Sequence, residues 1–427
     1  MGHRITLRDV ATAANVSVTT ASLILNGRPA RVSPDTRQRI LDVAEQLNYV
    51  PNQNARSLVT KKSMLIALIV PDIENLFFAS LSKQIEDCCA RDGYSLIVAN
   101  SDDSRASEHD LMTRLSSLGV DGMLLIAARE SYDDVDGLRE DVDRMNCPVM
   151  LVDRLFAEQW CDGAGLDNYT GGRLAADCLL DAGHTLIGCI TGGDQQGNAA
   201  DRVRGFLDAL RERDVPFDPA LKVSGMYKFR SGYDAADRLI DAGVTGVFCC
   251  NDLIAAGFIQ RAMERGLQVP RDISVVGYDN ILERYGLYRD VTTVDQRIEE
   301  LAERCWEHLH DRIEEQRRNS GKRKTTSSSS SSAAVTSSAA ATVHDSSRGA
   351  SAGAHADADG QTAMASGAQT TGPSDDHGDG AGTAADNAAG KSVAALRTAQ
   401  ADKPWLTDAE TILLEPHLIV RSTVAER

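Results

Sequence analysis

Strand-like and helix-like segments alternate from residue 63 to about residue 315, and this alternation limits the possible folds more than any other feature. Short, nearly continuous apolar runs are typical of parallel strands covered on both faces; they are Met64–Val70, Ser95–Ala99, Gly122–Ile126, Val149–Val152, Leu186–Ile190, Leu221–Val223, Gly246–Cys249 and Ile273–Val276. Helical spacing separates them, over 77–91, 105–118, 132–144, 171–182, 199–213, 231–242 and 252–265. Alternation of this kind gives parallel α/β sheets, and eight or nine strands divide naturally into two sheets of similar size.

Residues 1–50 follow a different pattern, that of three short helices joined by tight turns. The first helix opens at Thr6, and the second ends at Gly27. Ser33 and Pro34 supply a cap residue and a proline at the first position of the third helix. Two short helices joined by a tight turn and braced by a third make an all-α helix-turn-helix, whose second helix enters the major groove of DNA.

The charge of this region supports a nucleic-acid partner. Residues 1–62 hold nine Lys/Arg and four Asp/Glu, a net charge of +5, whereas the whole chain carries −17. A basic segment on an acidic chain is expected where one end of the molecule meets phosphate. On the second helix, Ala21, Ile24 and Leu25 share one face and are expected to pack on the other two helices. The alternative is a three-helix packing module that binds no DNA.

Length and composition indicate a soluble protein of two or three domains. The chain has 427 residues, of which 42% are hydrophobic and 25% charged. No apolar run approaches the roughly 20 residues of a membrane span, and the N-terminus lacks a signal-peptide pattern, so we expect a cytoplasmic protein. The nine cysteines show no Cys-x-x-Cys spacing, which predicts buried free thiols. No nucleophile–base arrangement or complete phosphate-binding loop is present, so we predict no enzyme activity, metal or cofactor.

Short motifs follow one another in a fixed order along the chain. In the first sixty residues they begin at Thr6 (TLRDVA), Asn15 (NVS), Leu25 (LNG), Tyr49 (YVPN) and Ala55 (ARSL). Later motifs begin at Leu68 (LIVPD), Val120 (VDG), Asp167 (DNYTGG), Asp201 (DRVRGF), Ser231 (SGY), Asn251 (ND), Ile273 (ISVVGYD) and Thr292 (TTV). In order and spacing, the chain resembles the LacI/GalR family of bacterial transcription regulators over roughly residues 4–310 and the last twenty.

The resemblance implies a core like that of periplasmic sugar-binding proteins, in which two subdomains close around a ligand. It also implies a hinge helix over 52–58 that orders on operator DNA beside the same helix of a dimer partner, with Leu58 wedging a base step in the minor groove. The alternative is that 52–58 only continues the third helix. The DNA-binding residues expected from the resemblance are Thr6, Ser17, Val18, Thr19, Thr20, Ser22, Leu23, Asn26, Asn52, Ala55, Arg56 and Leu58. Leu23 stands where relatives often carry Arg or His, which predicts an operator that differs from the common family palindrome.

Polar residues follow the predicted strands at their carboxyl ends, where ligands of α/β folds sit. Carboxylates and Arg bond vicinal hydroxyls, and aromatic faces cover the C–H surface of a sugar ring. By position and resemblance, the predicted effector-binding residues are Arg202, Asp279, Asn251, Asp153, Tyr227, Asp72, Asn75, Phe77 and Phe78. The alternatives are that the acidic residues cap helices and that Arg202 pairs with Asp201 or Asp208 on its own helix. Leu76 replaces the proline that is usual in the family.

Residues 316–404 differ in composition from the rest of the chain. A basic run over 317–324 and the serine tract Ser327–Ser332 precede a long stretch with almost no large apolar residue, which predicts disorder. Strand character resumes over 409–421 and matches the family's closing strands, so we expect an insertion within the last subdomain. We expect the basic run to be a solvated tether, with DNA contact as the alternative.

The predicted domains are therefore 1–50 for the helix-turn-helix, 51–62 for the hinge, 63–315 with 405–427 for the ligand-binding core, and 316–404 for the insertion. The function expected is that of a homodimeric repressor of carbohydrate-utilisation genes, which binds a pseudo-palindromic operator and responds to a small sugar in the cleft. A regulator that senses a purine or a protein corepressor through the same scaffold is the alternative. A binding protein without a DNA-binding head would explain the core alone.

Overall fold

The N-terminal region is a three-helix unit, as predicted. The computed structural model describes residues 5–50, 62–193, 196–330 and 403–427, and of residues 320–330 and 404 only the backbone. The helices are α1 (Leu7–Ala13), α2 (Val18–Leu25) and α3 (Pro34–Gln46). Their small core consists of Ala11, Ala14, Ala21, Ile24 and Ile40, and Leu25 packs against it.

Local polar contacts set the ends of these helices. Thr6 and Asp9 form a reciprocal capping box at the start of α1, and Ser33 caps α3 directly before its first-position proline. Asn15 adopts a left-handed φ of 55° in the turn between α1 and α2. Arg39 of α3 donates from Nε to the Ala14 carbonyl at 3.2 Å, which ties the third helix to that turn.

Two six-stranded sheets follow the N-terminal unit. The first sheet contains β1 (Leu65–Val70), β2 (Ser95–Asn100), β3 (Gly122–Leu125), β4 (Val149–Val152), β5 (Asp162–Leu166) and β11 (Thr411–Leu414). They lie in the order β11-β5-β4-β3-β1-β2 and all pairs are parallel. Its connecting helices are α4 (Leu76–Arg91), α5 (Arg105–Ser117) and α6 (Val135–Arg144).

The second sheet repeats this plan. Its strands are β6 (Ile187–Thr191), β7 (Lys222–Ser224), β8 (Gly246–Cys249), β9 (Ser274–Asp279), β10 (Thr292–Asp295) and β12 (His417–Ile419), in the order β12-β10-β9-β8-β6-β7. All pairs are parallel except β10 with β12. The helices are α7 (Asn168–Asp181), α8 (Gly197–Glu212), α9 (Phe229–Asp241) and α10 (Asp252–Glu264). The predicted two-sheet α/β architecture is confirmed, and the described residues form twelve strands rather than the eight or nine expected.

Strand β5 was not predicted because glycine interrupts its apolar pattern. Gly163 and Gly165 leave room for the loop that follows β4: a Cβ at Gly163 would lie 2.9 Å from Leu155 Cδ2, and one at Gly165 would lie 3.0 Å from the Asp153 carbonyl oxygen. Glycine in a strand often marks such a close approach. Tertiary packing, and not the intrinsic strand propensity of its residues, therefore places this short segment in the β conformation.

The long helix α11 (Ile298–Ser330) leads from the second sheet to the first. Buried Asp162 of β5 accepts hydrogen bonds from Arg312 of this helix, at 2.8 Å from Nε and 3.1 Å from Nη2. After residues 317–402, which cluster as a separate unit, the short helix α12 (Pro404–Thr407) precedes β11 of the first sheet. The expected placement of the insertion within the last subdomain is therefore wrong: it interrupts the return to the first sheet, and helical backbone continues to Ser330.

The nine cysteines are all free, and eight of them are buried, as predicted. Burial raises the pKa of the Cys89 and Cys147 thiols to about 12, so neither is poised to react as a thiolate. Among the described helices, none combines the length and the apolar character that crossing a membrane requires.

Candidate DNA-binding surface and effector cleft

The outer face of α2 carries the predicted base-reading residues. Val18 is 42% exposed and Thr19 is exposed, while Leu23 is half-buried. On the opposite face, Ala21 and Ile24 are buried in the three-helix core, so α2 is held with its first turn towards solvent. An apolar Val and Leu at these places can contact thymine methyl groups, but they have no donor for a guanine edge.

The other five predicted DNA-binding residues that the structure describes already make local hydrogen bonds; they are Thr6, in its capping box with Asp9, and Ser17, Thr20, Ser22 and Asn26. Ser17 Oγ accepts from Thr20 N at 3.0 Å and lies 2.8 Å from Thr20 Oγ1, so it caps α2. Asn26 Nδ2 donates to the Ser22 carbonyl at 2.7 Å. These bonds hold the side chains near the two ends of α2. Asn52, Ala55, Arg56 and Leu58 lie outside the described residues.

A narrow cleft lies at the carboxyl ends of strands from both sheets. Ligands of α/β folds bind at such edges. Eight of the nine predicted effector-binding residues line it: Asn75, Phe77, Phe78, Asp153, Arg202, Tyr227, Asn251 and Asp279. Asp72 is the exception, because its carboxylate caps Glu74 N at 3.0 Å and lies 3.5 Å from Lys228 Nζ.

Arg202 is the central cation of the cleft. It is 3% exposed, and it donates from Nε to Asn168 Oδ1 and from Nη1 to the Cys250 carbonyl, both at 2.7 Å. Its guanidinium lies 3.7 Å from the ring centroid of Tyr278, a cation–π contact, and Nη1 is 3.8 Å from Asp279 Oδ1. Arg202 therefore pairs with Asp279 within the second-sheet subdomain, and the alternative pairing with Asp201 or Asp208 is wrong, since those residues pair with Arg204 and Arg211.

Glycines allow α7 and α8 to approach closely enough to bring Arg202 to this position. A Cβ at Gly172 of α7 would lie 1.9 Å from the Arg202 carbonyl oxygen, and a Cβ at Gly205 of α8 would lie 2.0 Å from the Tyr169 carbonyl oxygen. A Cβ at Gly171 would lie 2.1 Å from the Tyr278 hydroxyl, which belongs to the ring under the guanidinium. The two glycines of the DNYTGG motif are thus packing requirements of the site.

Two buried carboxyl groups flank Arg202. Asp153 follows β4 with a left-handed φ of 61°, and Asp279 ends β9 with a φ of 113°. Burial raises the pKa of Asp153 above its usual value and that of Asp279 well above it, although the Arg202 charge acts in the opposite direction on both. Asn198 Nδ2 donates to Asp153 at 3.0 Å, and Gln296 Nε2 donates to Asp279 at 2.5 Å.

Two of the predicted effector residues, both asparagines, also act as helix caps. Asn75 Oδ1 accepts from Phe77 N at 3.0 Å, and Asn251 Oδ1 accepts from Ile254 N at 2.9 Å. Leu76 takes the first position of α4 behind the Asn75 cap. Because both amides still line the cleft, the capping bond orients each side chain without removing it from the site.

The cleft contains six residues that were not among the predicted set: Tyr132, Arg154, Gln196, Asn198, Ala199 and Gln296. Gln296 follows β10, so the rule that ligands sit at carboxyl ends of strands could have found it. Arg154 directly follows Asp153 and lies 5.6 Å from the Phe78 ring, as a cation–π pair. Tyr132 lies in a one-turn helix and Asn198 near the start of α8, and no sequence pattern points to either.

The arrangement is suited to binding and not to catalysis. Two carboxyl groups, one guanidinium and several amides face a small volume bordered by Phe78 and Tyr227. Within the described part of the chain, no group of three or more His, Cys, Asp or Glu side chains is placed to hold a metal ion. Acceptors and donors of this kind around aromatic faces fit a compact polyhydroxylated or heterocyclic ligand.

Comparison with known proteins identifies both parts of the chain. Residues 6–52 match the family model described as bacterial regulatory proteins of the lacI family, and residues 176–330 match the periplasmic binding protein-like domain. The regulator DegA of Bacillus subtilis is 34% identical over 298 residues, which cover 70% of this chain and 88% of DegA. The ribose operon repressor of Haemophilus influenzae is 34% identical over 72% of this chain and 92% of its own length.

Solved structures share the same architecture. The lac repressor dimer bound to operator and an anti-inducer has a TM-score of 0.66 and 24% identity, covering 73% of this chain and 93% of that one. A LacI family regulator from Enterococcus faecium with bound ribose has a TM-score of 0.53 and 31% identity, covering 58% and 90%. The chain therefore belongs to the LacI family of bacterial regulatory proteins and is a DNA-binding transcriptional regulator, not an enzyme.

Proposed function

We propose that this protein is a cytoplasmic repressor of carbohydrate-utilisation genes that responds to a small sugar bound between its two sheets. The observation that carries the proposal is the cluster of Asp153, Arg202 and Asp279 beside Phe78 and Tyr227 in one cleft. Carboxylates and a guanidinium form paired hydrogen bonds with adjacent hydroxyl groups, and aromatic faces cover the apolar C–H face of a pyranose or furanose ring.

The contacts already made in the cleft favour a ligand rich in hydroxyl groups. Arg202 is held by Asn168 and the Cys250 carbonyl, so its position does not depend on a ligand. Asp153 and Asp279 each accept one amide hydrogen bond and have further lone pairs for hydroxyl donors. The similarity of this chain to the ribose operon repressor and to the ribose-bound regulator from Enterococcus faecium supports a small sugar as its ligand.

The mechanism follows from the placement of the ligand residues on both sheets. Asn75, Phe78 and Asp153 belong to the first sheet and its helices, whereas Arg202 and Asp279 belong to the second. A ligand that bonds both sets changes the angle between the two subdomains. In a homodimer on a pseudo-palindromic operator, that change alters the spacing of the hinge segments 52–58 and hence the affinity for DNA.

Titration calorimetry of the full chain against a panel of pentoses, hexoses, disaccharides and purines tests the ligand class. We expect one sugar to bind, and Asp279→Asn to weaken it at least tenfold by removing a charged acceptor. Asp110→Asn is the matched control, since the exposed Asp110 side chain pairs with Arg114 on its own helix α5 and does not line the cleft, and it should bind as tightly as the wild type. Binding of a purine and no sugar would reject the sugar proposal in favour of the nucleobase alternative.

Operator binding is tested separately with the same proteins. The wild-type protein is expected to select a palindromic sequence from a random library, and the selected sugar should change its affinity for that sequence. An unchanged affinity at saturating sugar would contradict the proposed regulatory role, even if the sugar binds.

A further inference from the structure

A second, larger pocket lies beside the effector cleft, and we refer to it as the outer pocket. It has a volume of about 870 Å³, which is within the range of sites for small molecules. Four residues line both the outer pocket and the cleft: Tyr132, Asp153, Gln196 and Asn198. Because the same side chains border both spaces, a single layer of side chains separates the outer pocket from the cleft.

This layer is built from both subdomains. Asn198 of α8 donates from Nδ2 to Oδ1 of Asp153, which follows β4, at 3.0 Å. Tyr132 of the first-sheet subdomain contacts Gly197 of the second, where a Cβ would lie 2.3 Å from the Tyr132 hydroxyl oxygen. Both contacts cross from one subdomain to the other, so a hinge motion that separates the subdomains also opens the layer and joins the two spaces.

Aromatic rings lead from the cleft into the outer pocket. Tyr132 borders both spaces, and its ring centroid lies 4.9 Å from that of Phe156, a half-buried residue that lines the outer pocket. The buried Trp160 ring lies 5.7 Å from the Phe156 ring and 5.4 Å from the Arg139 guanidinium, so packing holds Phe156 in place before a ligand binds. Aromatic faces of this kind cover the C–H surface of a sugar ring.

Polar side chains that can bind hydroxyl groups line the same pocket. Asp201 of α8 lines it and pairs with Arg204 at 2.9 Å. Asp136, in the first turn of α6, lines it with an exposed side chain. The outer pocket therefore combines carboxylates with aromatic faces, as the cleft does, and this chemistry favours a second sugar ring over a purely apolar group.

We propose that the effector is an oligosaccharide of at least two rings, of which one binds in the cleft beside Arg202 and the next extends into the outer pocket against Phe156. This proposal rests on the proposed sugar-binding function of the cleft. Asp153 and Asn198 then lie at the linkage between the two rings, since they border both spaces. A ligand of this length replaces the direct hydrogen bond between these two residues.

Titration calorimetry with the full chain tests the proposal. The ligands are ribose, the disaccharides cellobiose, maltose, lactose, melibiose and xylobiose, and for each disaccharide the methyl glycoside of its non-reducing sugar in the same anomeric form. We expect one disaccharide to bind at least about tenfold more tightly than its methyl glycoside. The methyl glycoside keeps the first ring and the linkage oxygen, so this difference measures the contribution of the second ring.

Two variants change the outer pocket and leave the cleft residues in place. Ala157→Trp fills the pocket from an exposed position, and Phe156→Leu removes the aromatic face. Each should weaken the disaccharide about fivefold or more and change the affinity for the methyl glycoside by less than about twofold, which also shows that the cleft is folded. Ala106→Trp is the matched control, because Ala106 is exposed on α5 of the same subdomain and lines neither space, and both affinities should stay at their wild-type values.

The outcomes separate the two-ring effector from the proposed function. If ribose or a methyl glycoside binds as tightly as every disaccharide, or if Ala157→Trp leaves disaccharide binding unchanged, no second ring occupies the outer pocket, and sugar sensing by the cleft stands. If none of these sugars binds, the sugar effector is itself rejected, and the two-ring effector is rejected with it.

Discussion

Replacement of Arg202 by Met is expected to destabilise the core strongly, because the guanidinium connects three elements in the interior. It removes two charge-assisted hydrogen bonds of 2.7 Å and the cation–π contact with Tyr278 at 3.7 Å. Each such hydrogen bond contributes about 1.5–3 kcal/mol and a desolvated cation–π contact about 2 kcal/mol. Removal of the large desolvation cost of Arg offsets part of this sum.

The net loss expected for Arg202→Met is about 3–5 kcal/mol, the range found when one partner of a buried charged pair is removed. Urea denaturation of the wild-type and variant proteins, followed by circular dichroism, measures it. Arg211→Met is the matched control on the same helix. The Arg211 side chain is 76% exposed in an i,i+3 pair with Asp208, so its loss should cost less than about 0.5 kcal/mol.

The double variant Arg202→Met/Asp279→Asn measures the electrostatic contribution to this loss of stability. Asp279 is then neutral and no longer left as an unpaired buried carboxyl group, so the double variant should recover part of the stability lost by Arg202→Met. A loss below about 1 kcal/mol for Arg202→Met would refute the view that this cation holds the cleft together. So would an equal loss for Arg202→Met and Arg211→Met.

Three other predictions concern the operator, the insertion and the pH response. Leu23→Arg should move the selected half-site towards guanine at one position, by about 1–3 kcal/mol of discrimination, and an unchanged consensus in binding selection would contradict this. Deletion of 331–400 should change the free energy of unfolding by less than about 1 kcal/mol and leave operator affinity intact. Gln316 and Lys403 contact the carbonyls of Asn146 and Asp143, three residues apart, so residues 317–330, 401 and 402 close the shortened loop once the end of α11 unwinds. Sugar binding should weaken as the pH falls towards the raised pKa values of Asp153 and Asp279, since hydroxyl donors favour the ionised carboxylates. For the same reason, protons should be released when the sugar binds. Calorimetry between about pH 5 and pH 8 in two buffers would measure both effects.

Sequence reasoning was most successful where a local rule governs the structure. Ser33 and Pro34 mark the start of α3 because capping and proline placement depend on adjacent residues alone. The prediction brought Asp153 and Asp279 together because parallel strands bring their carboxyl ends to one edge of each sheet, and both residues line the same cleft. Asp72 satisfied the same rule and still lies outside the cleft, because its carboxylate turns back to cap Glu74.

The sequence by itself determined the helix-turn-helix, the two-sheet core and most of the cleft, since these depend on periodicity, caps and strand order. Only the tertiary structure decided which side chains complete the site, because Tyr132, Asn198 and Gln296 come from separate elements and meet only after packing. It also decided that Arg202 points to the cleft and not along its own helix, through glycines that let α7 and α8 approach. The return of the chain to the first sheet after residue 402 likewise depends on a long-range strand pairing that no local pattern contains.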